Sequence, residues 1–553
     1  MKKTKTAFLL FMFVLSLCAV NVQPAQSQSL GAVYILSDGT IYSTANVTVP
    51  IQQDGLVYTF TGDLPVTTFG IQRSNVVIDG AGFTLAGQGD IGIDLSYAGN
   101  VTIKNVQLAG MFLDGIYILE TSSHTITGCT IESNGNGIGF YATTYNNITG
   151  NIIKGNDVGI YLLESSNNLF RNNQLDNTHD ISVYGTAASY YVNDMDDSNT
   201  IGDNKKVYYL VGEDNLLISP DTYPDVGYLA LVSCRNVTVY GLTLNRNAQG
   251  LLLASTTDTT VAQCEISENY VGVMLFASSG NVIGENTITG NNRGIQLSMF
   301  SGSNNIFSNT IIDNRGGIYL FNSSQNVFTD NNITSNDNYG IGFSDASYNI
   351  IRSNFFIDNG AQVIDSSDDD ATVPLSVNTW SVSYPVGGNY WSDYTGVDVK
   401  RGTYQNETGV DQLGDTPYVI DSYNKDSYPL MIYGSAPVVT VASPGNTTYS
   451  TSSIDLTYSV SEGTSWVKYS LDGASNVTIS GTTTLSDLSS GMHSIILYAE
   501  DMDGNQGTSG TIYFTISPGT TSDEPFPLWI LAVIIVAAVA VILFFFVRII
   551  RKK

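Results

Sequence analysis

Charge is scarce in this chain. Asp, Glu, Lys and Arg make up 13% of its 553 residues, about half the roughly 25% of ordinary soluble domains. Basic residues are scarcest: 22 Lys and Arg against 50 Asp and Glu give 22 − 50 = −28. Phosphate backbones are bound by clustered Lys and Arg, so this balance rules out nucleic acid as a partner. It also argues against docking on anionic lipid. Histidine is down to 3 residues and cysteine to 4. Cys18 lies in an N-terminal apolar run, which leaves Cys129, Cys234 and Cys264. Three is an odd number and builds no disulfide framework. What abounds is Gly (53) and Tyr (33), with runs of Asn, Ser and Thr. Such residues favour turns and short strands over long helices.

Both ends carry address patterns. Lys2, Lys3 and Lys5 precede an apolar run from Ala7 to Val20, and the small-residue site Ala25-Gln26-Ser27 follows. This predicts a secretory signal peptide over 1–27. Leu528 to Val547 is apolar and uncharged. That is about 30 Å of helix, enough to span a bilayer. Arg548, Arg551, Lys552 and Lys553 follow it, which keeps the 548–553 tail cytoplasmic and the rest of the chain outside the cell membrane. Nine Asn-X-Ser/Thr sequons, at Asn46, Asn100, Asn147, Asn236, Asn322, Asn332, Asn406, Asn446 and Asn476, are candidate glycosylation sites.

The middle of the chain repeats. One column reads Phe83, Val106, Cys129, Asn151, Asn173, then Leu242, Cys264, Asn286, Asn309, Asn331, Asn354, in steps of 22 or 23. The gap from Asn173 to Leu242 is 69, three steps of 23. Two residues later runs an apolar column, Leu85 to Phe356. A glycine column holds Gly92, Gly115, Gly137, Gly159, Gly227, Gly250, Gly272, Gly294, Gly317 and Gly340. Short runs of alternating apolar residues between Asn/Gly/Ser corners are strands with one face inward. Glycine and asparagine at the corners supply φ > 0. A coil of this length cannot bury its own inner face and must stack on the next. The pattern predicts an all-β parallel β-helix over 75–373, about thirteen coils in one column and roughly 60 Å tall. The asparagines predict a hydrogen-bonded amide ladder. Cys129 and Cys264 share their column with Val106 and Leu242, which makes them buried apolar residues rather than reactive thiols. Residues 28–74 and 374–433 are expected to cap the two ends. Residues 435–517 carry strands about 10–20 residues apart, the pattern of a small β-sandwich. A linker over 518–527 leads to the membrane helix over 528–547.

Three segments resemble the NosD-like family of exported β-helix proteins, sometimes labelled periplasmic copper-binding. They are Asn75-Val-Val-Ile-Asp-Gly-Ala-Gly-Phe-Thr-Leu85, Asp196-Asp-Ser-Asn-Thr200 with Val207-Tyr-Tyr-Leu210, and Gly388-Asn-Tyr-Trp-Ser-Asp-Tyr-Thr-Gly-Val-Asp398 with Gly414-Asp-Thr-Pro-Tyr418 and Asp426-Ser-Tyr-Pro-Leu430. The resemblance covers about residues 30–433. It implies a right-handed, pectin-lyase-like coil in a surface protein, and Ala499-Glu-Asp-Met-Asp-Gly-Asn505 makes 435–517 similar to Ig-like surface modules. The family name also implies copper. Copper sites bring His, Cys or Met together, yet His124, His179 and His493 are far apart in sequence, and Met111, Met195, Met274 and Met299 are scattered.

Three functions remain to be weighed. An enzyme acting on polysaccharide needs paired carboxylates. Glu120 and Glu164 lie in one column, two coils apart, with Ala142 between them and no basic neighbour. They are the candidate acid and base, against a plain reading as solvated corner carboxylates. Asp365, Asp368, Asp369 and Asp370 form an acidic loop that offers oxygen ligands for Ca²⁺, or is simply solvated. A binding protein is the stronger expectation. The outward position after each glycine places Tyr117, Tyr161 and Tyr319 on a sheet face where rings can stack on sugars, although tyrosine is also favoured on sheets in general. The sequence thus predicts a non-catalytic, membrane-anchored surface β-helix contacting envelope glycans or surface-layer proteins. A carbohydrate-active enzyme is the first alternative and copper handling the second.

Overall fold

A computed structural model describes residues 29–366, 375–431, 437–460, 464–501 and 506–517. The expected signal peptide, linker, membrane helix and basic tail lie outside the described residues. Among the described residues no helix is long and apolar enough to cross a membrane. The chain divides into two compact units, Met1–Met431 and Ile432–Lys553.

The first unit is a parallel β-helix whose coils follow the 22-residue register. Three-residue strands such as Thr102–Lys104, Thr125–Thr127 and Asn147–Thr149 pair in parallel, with Ile103, Ile126 and Ile148 aligned and fully buried. Only the middle residue of each strand points in, as period-two alternation requires. Pairing starts before residue 75. Val57–Phe60 already runs parallel to Val77–Asp79, and the hairpin of Ile51–Asp54 with Val57–Phe60 ends that sheet.

The single thirteen-coil column is corrected by the structure: there are two stacks with separate cores. Thr200–Ile201 pairs in parallel with Gln174–Asp176. The chain then turns at Gly202 and Asn204, both at positive φ, and Lys205–Val211 pairs antiparallel with Thr200–Ile201. Lys205–Val211 in turn pairs in parallel with Val226–Val232, so the second stack starts in the reverse direction. Its strands Val226–Val232, Gln249–Ala254 and Val271–Phe276 are buried at every position. Leu229, Leu251 and Val273 fill the second core, while Tyr228, Leu252, Met274 and Phe276 join the first. The outer face of the second stack therefore closes the open end of the first, which would otherwise be an unpaired, apolar edge. Gln249 secures the junction. Its Oε1 accepts from Val183 N at 3.2 Å and its Nε2 donates to Val183 O at 3.3 Å.

The expected amide ladder is present, and there are several. In the second stack Asn286, Asn309, Asn331 and Asn354 each donate Nδ2 to the next Oδ1 at 2.9–3.0 Å. Asn247, Asn269, Asn291, Asn314 and Asn336 occupy a second column; Asn281, Asn304, Asn326 and Asn349 a third. Each amide satisfies backbone groups at a buried corner that water cannot reach. The first ladder ends in the closing motif. Asn389 receives it, and the buried carboxylate of Asp426 accepts from Asn389 N at 2.6 Å and Trp391 Nε1 at 3.0 Å. Trp391 stacks on Phe356 at 4.6 Å and Tyr418 at 4.3 Å, so the Tyr390–Tyr394 aromatics close the helix.

Corner glycines and asparagines such as Gly128, Gly150, Asn105 and Asn172 lie at positive φ as expected. The glycines of the column keep ordinary φ, and there the limit is space. A Cβ on Gly272 would fall 2.6 Å from the Gly294 carbonyl oxygen of the next coil.

The second unit holds two sheets. Val439–Ser443, Ile454–Val460 and Thr483–Leu485 form one; Thr448–Tyr449, Ile512–Ile516, Gly491–Asp501, Thr464–Leu471 and Val477–Ile479, with Gln506–Thr508 paired to Gly491–Asp501, form the other. Leu456, Leu485, Leu497 and Phe514 meet in one core.

Candidate functional site

The candidate acid pair stands at coil corners. Glu120 and Glu164, like Ala142 between them, are corner residues at φ 50, 52 and 50. Glu120 is exposed, and Glu164 Oε1 accepts from the Thr186 hydroxyl at 3.0 Å. Asp368, Asp369 and Asp370 lie outside the described residues, and Asp365 Oδ2 accepts from Ser376 N at 2.7 Å.

The tyrosines gather differently from the expected exposed row. Tyr161 is only 6% exposed, a correction to its expected place in solvent. The cause is the neighbouring column: Tyr141 and Tyr184 lean across it. Tyr117, Tyr141, Tyr161 and Tyr184 form a track up the outer face of the first stack, with ring centroids 4.9, 5.7 and 6.3 Å apart. The track is interrupted by no side chain at Gly139, where a Cβ would meet Asp114 Oδ1 at 2.3 Å and Tyr141 at 2.6 Å. That bare position lets Tyr141 reach Asp114. Its hydroxyl lies 3.0 and 3.1 Å from the two carboxylate oxygens, and Asn136 Nδ2 donates at 2.9 Å. Burial pushes the Asp114 carboxyl up to about 6, because the charged form is desolvated more than three hydrogen bonds repay. Burial likewise pushes the Tyr161 phenol up to about 12.

The track runs to the junction of the stacks. Tyr184 lies within electrostatic reach of Tyr270 and Arg293 of the second stack. There the outer face continues with Arg293, whose guanidinium carbon sits 4.8 Å from the Tyr319 ring centroid, and with Tyr339, 6.2 Å from Tyr319. Sequence reasoning found Tyr117 and Tyr319 but missed Asp114 and Arg293. The signal was the residue just before the glycine column, where Asp114 and Arg293 stand in register with Asn136, Val271, Gly316 and Tyr339.

Copper fits poorly. Among the described residues no three His, Cys, Asp or Glu side chains gather as a metal site. His124 is fully buried in a ladder column, its N–H donating to Asn146 Oδ1 at 2.9 Å, and burial pulls its imidazole down to about 4. His493 pairs with Asp472 at 2.7 Å in the second unit. Cys129, Cys234 and Cys264 are buried, and burial pushes the Cys129 thiol up to about 11. None of the nine sequon asparagines is buried.

The family described as "Periplasmic copper-binding protein (NosD)" matches residues 192–396, and "Right handed beta helix region" matches residues 91–218. The two matches overlap at the junction of the stacks. No curated protein matches the chain. Among solved structures, the Dettilon tailspike protein is 13% identical, with 81% of this chain and 83% of that chain covered and a TM-score of 0.24. The A-module of the Azotobacter vinelandii mannuronan C-5 epimerase is 15% identical, with 54% and 87% covered and a TM-score of 0.21. The catalytic domain of a GH87 alpha-1,3-glucanase in complex with nigerose is 14% identical, with 61% and 63% covered and a TM-score of 0.21. The chain carries a NosD-like right-handed β-helix.

Proposed function

We propose that this NosD-like right-handed β-helix belongs to a non-catalytic, membrane-anchored surface protein that binds glycans along the outer face where its two stacks meet. The observation that carries the reading is the tyrosine track, whose half-buried rings Tyr117, Tyr141 and Tyr184 on the first stack and Tyr270 and Tyr319 on the second are backed by the buried Tyr161 and Tyr339. Centroid spacings of 4.9–6.3 Å suit successive sugar rings, whose C–H faces pack on the electron-rich faces of aromatic rings. The secretory pattern at 1–27, the apolar run at 528–547 and the Ig-like strand pattern of 435–517 agree with display on a surface.

The test is glycan-array binding by the full chain, purified in detergent. A defined set of saccharides should bind, and Tyr117→Ala and Tyr319→Ala should each weaken binding at least tenfold with the fold intact. Binding unchanged in both variants refutes the site.

One observation favours a carbohydrate-active enzyme instead. Asp114, with its carboxyl up to about 6 and a phenol at hydrogen-bond distance, has the properties of a general acid. Glycan cleavage by the wild type, lost in Asp114→Asn, would select that reading over the binder.

A further inference from the structure

We propose that Arg293 is a receptor for the anionic group of an acidic saccharide, one bearing carboxylates or sulfates. The inference rests on the glycan-binding reading and narrows its ligand class.

Arg293 is a half-buried guanidinium in a chain with more than twice as many acids as bases. Lys104, Lys154, Arg171, Lys206, Arg235, Arg246 and Arg401 each sit beside a carboxylate. Arg293 takes part in none of the ion pairs among the described residues, a property it shares with seven other described Lys and Arg residues; what sets it apart is its burial against tyrosine rings. Its surroundings are neutral instead. Nη1 donates to Gln296 Oε1 at 2.9 Å, Tyr339 lies within electrostatic reach of it, and Tyr319 lies under its plane. Partial burial of a cation without a counter-charge costs free energy, and stacking on a tyrosine face returns only part of it.

The backbone is shaped around this group. Arg293, Gly316 and Tyr339 are consecutive in one register column. Gly316 has no side chain, and a Cβ there would fall 2.4 Å from Tyr339 Cζ. The bare position lets Tyr339 lean back two coils to the guanidinium. Five N–H donors in a planar fork match a carboxylate or sulfate, and the Gln296 and Tyr319 contacts fix the fork without neutralising it. Tyr184, the last ring of the first-stack track, lies within electrostatic reach of Arg293, so a saccharide held along the track brings its anionic substituent toward the guanidinium.

The experiment measures binding of the full chain to a galacturonate hexamer, to the same hexamer fully methyl-esterified, and to a sulfated galactan oligosaccharide of similar length. Wild type should bind at least one charged probe tenfold or more tighter than the neutral ester. Arg293→Gln should abolish that preference, with the fold intact by circular dichroism. Arg293→Lys should restore part of it, since charge returns without the fork. The two charged arms distinguish carboxylate from sulfate. Equal binding of charged and neutral probes, or a preference that survives in Arg293→Gln, overturns the receptor role while leaving the glycan reading intact. No binding to any probe, with an empty glycan array as well, overturns both.

Discussion

Asn304 and Asn305 are adjacent and identical, yet the structure assigns them opposite worth. Asn304 is 1% exposed. Its Oδ1 accepts from Asn281 N and Nδ2, both at 3.0 Å, and its Nδ2 donates to Ser278 O and Asn326 Oδ1, also at 3.0 Å. Asn304→Leu keeps the branching at Cγ and removes every one of these bonds. Asn281 Nδ2 retains Thr256 O, and Asn326 Oδ1 still accepts from the backbone N of residue 304. Two groups are left short of a partner, the Asn281 N–H and the Ser278 carbonyl. At about 1–3 kcal/mol for each buried unsatisfied group, the loss is about 2–6 kcal/mol. Asn305 is exposed, and Asn305→Leu should stay within about 0.5 kcal/mol of wild type. Urea unfolding of the full chain in detergent, followed by far-UV circular dichroism, measures both. Equal shifts in the two variants, or a loss under about 1 kcal/mol for Asn304→Leu, would refute the claim that the amide ladders hold the coils.

Three further outcomes follow from other parts of the molecule. Gly272→Ala should destabilise the second stack by at least about 1 kcal/mol, since its Cβ would lie 2.6 Å from the Gly294 carbonyl and strain rather than φ is the obstacle; an unchanged unfolding midpoint contradicts the close-approach explanation of the column. Asp114 has its folded carboxyl raised from 3.8 to about 6, so the folded state holds this proton more tightly and stability falls as pH rises from about 4 to about 6. The loss is at most about 3 kcal/mol, and Asp114→Asn should flatten the stability–pH curve over that window; a variant curve parallel to wild type would mean Asp114 is not desolvated. Deleting 524–553 should release the protein from membranes, and retention after a salt wash would refute the single-anchor proposal.

The period of the β-helix was legible because each coil repeats the same physical problem. One apolar residue in Ile103, Ile126 and Ile148 must point inward every 22 or 23 residues, and one corner must satisfy buried amides. The junction was not legible. The 69 residues between Asn173 and Leu242 equal three coils in length, and nothing in their spacing separates three coils from a hairpin that reverses the chain. The reversal depends on tertiary burial: Tyr228, Leu252 and Phe276 are as apolar as any outer-face residue needs to be to cap another stack, but alternation alone does not say what covers them. The glycine column was visible while its cause was not, because a crowded carbonyl and a positive φ select the same residue. For the site, Tyr117 and Tyr319 were found as sheet-face aromatics. Asp114 and Arg293 were passed over because each is a lone charge in its column, and their significance comes from what they lack or bury rather than from a motif.

The most direct test of the central claim is hydrogen exchange of the full chain with and without the saccharide that binds best on the array. Protection should fall on the outer strands Gln107–Leu119, Asn136–Tyr141, His179–Tyr184, Arg293–Ser298 and Gly316–Phe321, which carry the tyrosines and Arg293 on either side of the junction of the two stacks. Protection confined to the second unit, or to the strands Thr238–Tyr240 through Ile350–Arg352 on another side of the helix, would contradict the account.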